Sequence, residues 1–167
     1  MNIYLIGMPG SGKSTVGKEL AKAMNYNYID LDSYIERKYN DKIPNIFEKY
    51  GESKFREFER YSLSDFMVKD SYVISCGGGI VSNISNKDLM NGVVVFIDVD
   101  IETLKERISN DKVNIRPMFL TKTVEELYDA RINKYNSFKD ITVKNVNVDQ
   151  AVKDIIKEID LFCVKKY

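Results

Sequence analysis

The chain has no histidine among its 167 residues. That absence rules out a Ser-His-Asp triad, a His–Cys nucleophile pair and a histidine-ligated zinc. It has two cysteines, Cys76 and Cys163, far apart and in no metal-ligand spacing, so free thiols in a reducing compartment are expected. Net charge is zero, 25 basic residues against 25 acidic, and the basic excess of a nucleic-acid-binding surface is missing. No apolar run approaches the length of a membrane span. No basic leader precedes the first apolar segment, and a cytoplasmic location is the default expectation. Repeats, low-complexity tracts and linkers are absent too, so residues 1–167 read as one domain. Arginine is scarce, at positions 37, 56, 60, 107, 116 and 131, against 19 lysines. Where Arg stands in a lysine-rich chain, its planar fork points to a carboxylate or phosphate.

What is present is a globular composition, 44% hydrophobic and 30% charged, with one dominant motif. Gly7-Met8-Pro9-Gly10-Ser11-Gly12-Lys13-Ser14 fits G-x-x-x-x-G-K-[ST] without a mismatch. It follows the apolar run Ile3-Tyr4-Leu5-Ile6 and precedes a helical pattern. The glycines let several N–H groups face one concavity, and the helix start adds the positive end of its dipole. Lys13 can then reach the β- and γ-phosphates, and the Ser14 hydroxyl can ligate magnesium. An ordinary glycine-rich turn is the alternative, which the full match and the flanks disfavour.

Short apolar runs alternate with longer amphipathic ones, the pattern of a parallel sheet wrapped by helices. The pattern predicts strands at about 2–6, 27–30, 72–76, 93–98 and 141–144. It predicts helices at about 13–24, 32–40, 44–50, 52–68, 100–110, 123–138 and 148–162, with Gly51 between the third and fourth. Val93 to Ile97 is continuous and β-branched, as in a strand buried on both faces. Phe55, Phe58, Ser62 and Phe66 form a helical stripe.

Other features gather where strands end, the place ligands occupy in such sheets. Asp30 and Asp32 close the second strand and suit either a metal and hydroxyl site or helix capping. Gly77-Gly78-Gly79 closes the third strand and reads as a binding loop rather than a plain turn, since a ligand can approach bare backbone. Asp98 and Asp100 close the fourth and are assigned to structure, with Asp100 as a helix N-cap. Residues 111–122 carry Arg116 before a proline and suit either a closing lid or a surface loop. Arg56 lies between Glu52 and Glu59 at helical spacing, and both it and Arg131 read locally as surface charges.

The ordered set resembles the shikimate kinases, within the nucleoside-monophosphate-kinase-like group. The motifs that carry the resemblance are Gly12-Lys13-Ser14-Thr15-Val16-Gly17, Asp30-Leu31-Asp32, the segment Ile43 to Gly51, Phe55-Arg56-Glu57-Phe58-Glu59 and the triple glycine. Leu104-Lys105-Glu106-Arg107, Arg116-Pro117 and Arg131 with Tyr135 complete it. The resemblance implies a three-layer α/β/α fold with a five-stranded parallel sheet of order 2-3-1-4-5. It also implies a substrate-binding region at about 32–60 and a mobile lid at about 111–123. The implied activity is transfer of the ATP γ-phosphoryl group to the 3-hydroxyl of shikimate, with magnesium, by a monomer. Gly10, Ser11, Gly12, Lys13, Ser14 and Thr15 would hold the phosphates, Ser14 and Asp30 (through water) the metal. Asp32 would hold the shikimate hydroxyls and take the proton, with Lys13 and Arg116 as catalytic cations. Arg56 and Arg131 would clamp the carboxylate beside Gly78 and Gly79, with Glu59 supporting Arg56. Phe47 and Phe55 would wall the ring, and Arg107 would lie along the adenine. Arg107 and Arg116 stand farther apart than in the usual family pattern, which implies a short insertion. A gluconate-type kinase is the alternative: it shares the phosphate loop but does not need both the triple glycine and the Phe-Arg-x-x-Glu helix.

Overall fold

A computed structural model of the chain describes residues 1–111 and 121–165. Within them five strands, β1 (Asn2–Ile6), β2 (Asn27–Asp30), β3 (Tyr72–Ser75), β4 (Gly92–Asp98) and β5 (Ile141–Lys144), form one sheet in the order β2-β3-β1-β4-β5. Every pairing is parallel, with Leu5 opposite Ser75 on one side and Val95 on the other. The helices are α1 (Lys13–Met24), α2 (Leu31–Tyr39), α3 (Ile43–Ser64), α4 (Ile101–Asn110), α5 (Val124–Phe138) and α6 (Val148–Lys165).

The alternation of side chains along β1 divides the core into two layers. Ile3 and Leu5 face one side, where they join Val16 and Leu20 of α1 and Ile155 of α6. Tyr4 and Ile6 face the other, against Leu31 and Ile35 of α2, Phe55 and Leu63 of α3, and Leu127 and Tyr135 of α5. Both faces of the central strands are therefore covered, which is why Val93 to Ile97 is apolar without a break.

Strand positions follow the sequence pattern closely, and the helix starts follow their caps. Thr123 forms a capping box with Glu126 at the start of α5, and Asp100 accepts from Thr103 N–H at the start of α4. Three differences stand out. Residues 43–64 form a single assigned helix, yet Gly51 inside it has φ 76° and ψ 173°, so the expected break is a sharp kink rather than a loop. The helix ends at Ser64 rather than near residue 68, in a run of tight turns carried by Phe66 and Met67 N–H groups. After β3 the chain makes two short 3-10 helices, Ile80–Ser82 and Ile84–Leu89, which the apolar periodicity did not signal.

This topology positions the site. The phosphate loop leaves β1 and the triple glycine leaves β3, its parallel neighbour, so both emerge at one edge of the sheet. Asp30 and Asp32 leave β2 at the same edge.

Candidate active site

A cleft of about 960 Å³ opens at that edge. Gly10, Gly12, Lys13, Ser14, Thr15, Asp30, Asp32, Phe47, Phe55, Arg56, Glu59, Gly78, Gly79, Arg107 and Arg131 all line it. Ser11, fully buried beneath the loop, does not. Arg116 and the centre of the expected lid lie outside the described residues, while Asp111 at the lid's start reaches the cleft wall.

The phosphate loop holds itself open through its lysine. Lys13 Nζ donates to the carbonyls of Gly7 and Met8 at 2.9 and 2.8 Å and to Ser11 Oγ at 3.4 Å. Those bonds keep the ammonium at the loop's mouth, where a phosphate can exchange for a carbonyl. Next to it Ser14 Oγ donates to Asp30 Oδ2 at 2.9 Å, and Asp30 Oδ1 accepts from Ser33 N–H at 3.1 Å. Asp30 is thus both the α2 N-cap and the carboxylate facing the Ser14 hydroxyl, so the two readings of that residue are not exclusive.

Both hard oxygens suit magnesium. Among the described residues no group of three or more acidic or thiol side chains could hold a metal ion by itself.

The side of the cleft away from the loop is built from side chains. Arg56 Nη1 donates to both Glu59 carboxylate oxygens, at 3.1 and 2.9 Å, and Nη2 to Glu52 at 3.2 Å. Its guanidinium carbon lies 5.2 Å from the Phe55 ring centre, and Phe55 packs on Phe47 with 4.7 Å between centroids. Arg56 Nε is buried with no hydrogen-bond partner among the described residues. Glu59 is 1% exposed. Burial pushes its carboxyl up to about 7, against the pull of Arg56 and, more weakly, Arg131, with the Asp32 charge adding to the rise. Arg131 is 4% exposed and lies against the Tyr135 hydroxyl, which donates to the Gly78 carbonyl at 2.6 Å. Burial holds that hydroxyl far above its ordinary pKa, so it stays a donor.

These positions correct the local reading of Arg56 and Arg131 as solvated surface charges. Spacing alone could not show that both helices turn these faces toward the sheet edge. The role of the triple glycine also differs in detail from the expectation. A Cβ on Gly77 would stand 2.8 Å from Asp32 Oδ1, one on Gly78 3.3 Å from Arg131 Nη1, and one on Gly79 2.6 Å from the Arg56 guanidinium carbon. Gly77 and Gly79 each make room for a charged side chain of the site, while Gly78 makes room first for the Pro9 ring at 2.9 Å and only then for Arg131, so the close approach is first to the protein itself.

Arg107 donates to the carbonyls of Gly10 (3.4 Å), Ser11 (3.5 Å) and Asn145 (3.3 Å). Sequence reasoning passed over Asn145, which follows β5 and bonds the Ser11 carbonyl. The strand-end rule that singled out Asp30 and Gly77 would have found it, since β5 ends one residue earlier.

The family sequence model for shikimate kinase matches residues 9–160. The chain is similar to a shikimate kinase from Sulfurihydrogenibium sp. (strain YO3AOP1), 40% identical over 169 residues that span 99% of this chain and 98% of the relative. It is also similar to a shikimate kinase from Acinetobacter baumannii solved in complex with shikimate. That structure has 30% identity and a TM-score of 0.84, covering 99% of this chain and 93% of that one. A gluconokinase from Sinorhizobium meliloti 1021 has a TM-score of 0.66 at 16% identity, covering 99% of this chain and 97% of that one, and shares the fold alone. The first two likenesses run the length of the chain instead of stopping at a phosphate loop common to many enzymes, and on them the chain belongs to the shikimate kinase family of ATP-dependent phosphotransferases.

Proposed function

We propose that the enzyme transfers the γ-phosphoryl group of ATP to the 3-hydroxyl of shikimate through the residues gathered in this cleft, on the route to chorismate and the aromatic amino acids. The observation that carries the reading is the pair Arg56 and Arg131, drawn in by glycines against the same cavity that the phosphate loop enters. A planar carboxylate accepts two parallel bonds from a guanidinium, which an ammonium cannot match. The Acinetobacter baumannii relative was solved with shikimate bound, which supports the choice of acid.

In this reading the shikimate carboxylate lies between Arg56 and Arg131, and its ring rests on Phe47 and Phe55. The ring hydroxyls then face Asp32, which lines the same cleft as Lys13. As the 3-oxygen attacks the γ-phosphorus, its proton passes to the Asp32 carboxylate. The bond from that phosphorus to the β–γ bridging oxygen breaks, and ADP leaves. Lys13 gives up its carbonyl partners to follow the charge on the transferred group, and the loop N–H groups bind the β-phosphate. Arg116, in its family role, adds a cation from the lid. Ser14, and Asp30 through water, would hold a magnesium ion, which would offset the charge of the phosphates. Glu59 holds Arg56 in place, and Arg107 flanks the nucleotide beside the loop. The described helices include none long and apolar enough to cross a membrane, and we place the enzyme in the cytoplasm as a monomer.

A coupled assay for ADP release, run with shikimate, gluconate and nucleoside monophosphates, tests the assignment. Fastest turnover is expected on shikimate. Faster turnover on gluconate or a nucleotide would overturn it.

A further inference from the structure

A phosphate cradle made of main-chain N–H groups has a reverse side. When successive peptides turn their N–H groups inward, their carbonyls face out into the protein, and a buried carbonyl needs a donor. Here side chains supply the donors. Arg107 Nη1 meets the Gly10 carbonyl at 3.4 Å, and Asn145 Nδ2 meets the Ser11 carbonyl at 2.8 Å, with Arg107 Nη1 farther off at 3.5 Å.

Asn145 is 5% exposed and fixed from both sides of its own main chain. Its N–H donates to the Asp98 carbonyl at 3.0 Å, and its carbonyl accepts from Arg107 Nη2 at 3.3 Å. Gly12 completes the fit. At φ 86° it opens α1, and a Cβ there would lie 3.7 Å from both Asn145 Cγ and Arg107 Nη1 and closer still to Asn145 Nδ2. Asn145 Oδ1 is buried with no hydrogen-bond partner among the described residues. The side-chain amide therefore has one bond of its own, and that bond goes to the loop.

We infer that Asn145 is a positioning residue for nucleotide binding: it ties the Ser11–Gly12 peptide of the phosphate loop to the end of β5 by the Ser11 carbonyl, which leaves the Gly12 N–H on the inward side. The inference rests on the reading that this loop holds the ATP phosphates. Loss of the donor frees the Ser11–Gly12 peptide to rotate, and the cradle must then be reordered each time a phosphate binds. An aspartate in its place would set two acceptors against the Ser11 carbonyl and bring negative charge toward the triphosphate.

The test is calorimetric titration of wild-type, Asn145→Ala and Asn145→Asp proteins with Mg-ADP and, separately, with shikimate, alongside steady-state kinetics and thermal unfolding. ADP affinity is expected to fall about tenfold in Asn145→Ala and further in Asn145→Asp, while shikimate affinity stays within twofold. The KM for ATP should rise more than kcat falls. Unchanged ADP affinity in both variants would overturn the inference. So would equal losses for ADP and shikimate, or loss of cooperative unfolding in both variants, since Asn145 would then serve the fold in general. A wrong acceptor assignment shows separately, as a wild-type protein that does not bind shikimate, and leaves the ADP measurement intact.

Discussion

In the proposed reading, the two halves of the cleft recognise their ligands by different means. The nucleotide half works through backbone: a loop of consecutive residues, a helix start and one lysine that bonds the loop's own carbonyls. The acceptor half works through side chains from α2, α3 and α5, and the backbone beneath them is bare glycine because it must stay out of their way. Backbone recognition suits phosphate, which every nucleoside triphosphate presents alike. Side-chain recognition suits one particular acid, because guanidinium forks and aromatic walls can be set to its shape. Substitutions should therefore separate the halves kinetically.

The largest effect is expected where the halves meet. Asp32→Asn keeps size and cleft position but removes the proton acceptor, so kcat should fall by about 10²- to 10⁴-fold while Mg-ADP affinity is unchanged. Turnover near the wild-type rate would remove Asp32 from the chemistry. Arg131→Ala comes next and should act on one half only. Loss of a charged bond to the substrate carboxylate predicts a shikimate KM raised about 10- to 100-fold, with the KM for ATP within twofold. A parallel rise in both constants would show that the halves are not separable.

Glu59 sharpens the contrast through pH. Its carboxyl is raised from an ordinary 4.5 to about 7, first by burial, with Arg56 pulling against it. The folded state therefore binds this proton more tightly than the unfolded chain does. The stability it contributes is fully present below about pH 4.5 and is lost as pH rises through about 7. Compared with the uncharged Glu59→Gln variant, the wild type should lose about 3 kcal/mol over that interval, read from urea unfolding at successive pH values. A wild type that instead gains on the variant as pH rises would mean that pairing with Arg56 outweighs burial.

How much of this was legible in the sequence divides along the same line. The phosphate loop announces itself because its function needs contiguous residues in fixed order, and the strands announce themselves because burial on both faces demands unbroken apolar runs. The acceptor site is scattered over residues 32 to 131, and its members look ordinary in isolation. Glu52, Arg56 and Glu59 have the spacing of a surface ion-pair ladder, yet in the fold Glu59 is buried and Arg56 nearly so. Only the motif order of the family pointed Arg56 and Arg131 inward. The 3-10 turns after Gly79 had no periodic signal, since runs of three to six residues are too short to show one. Asn145 stands at a strand end, so the rule applied to Asp30 and Gly77 would have flagged the position, but the loop carbonyl it serves is visible only in the fold.

The smallest effect tests whether the acceptor half depends on backbone at even one point. Gly51 has φ 76° and ψ 173°, a region that only glycine enters readily, and a Cβ placed there meets nothing within 4 Å. Crowding is therefore excluded as the cause of any change, and Gly51→Ala acts through conformation alone. The strain is worth about 1–3 kcal/mol, relieved in full or in part if α3 straightens through the kink. Straightening would swing the segment that carries Phe47 away from Phe55, whose rings now lie 4.7 Å apart. The expected outcome is a shikimate KM raised several-fold with the KM for ATP unchanged, and a modest loss in unfolding free energy. Equal rises in both constants would place the kink in service of the whole cleft and blur the division between backbone and side-chain recognition. A loss of stability with neither constant altered would confine Gly51 to the fold.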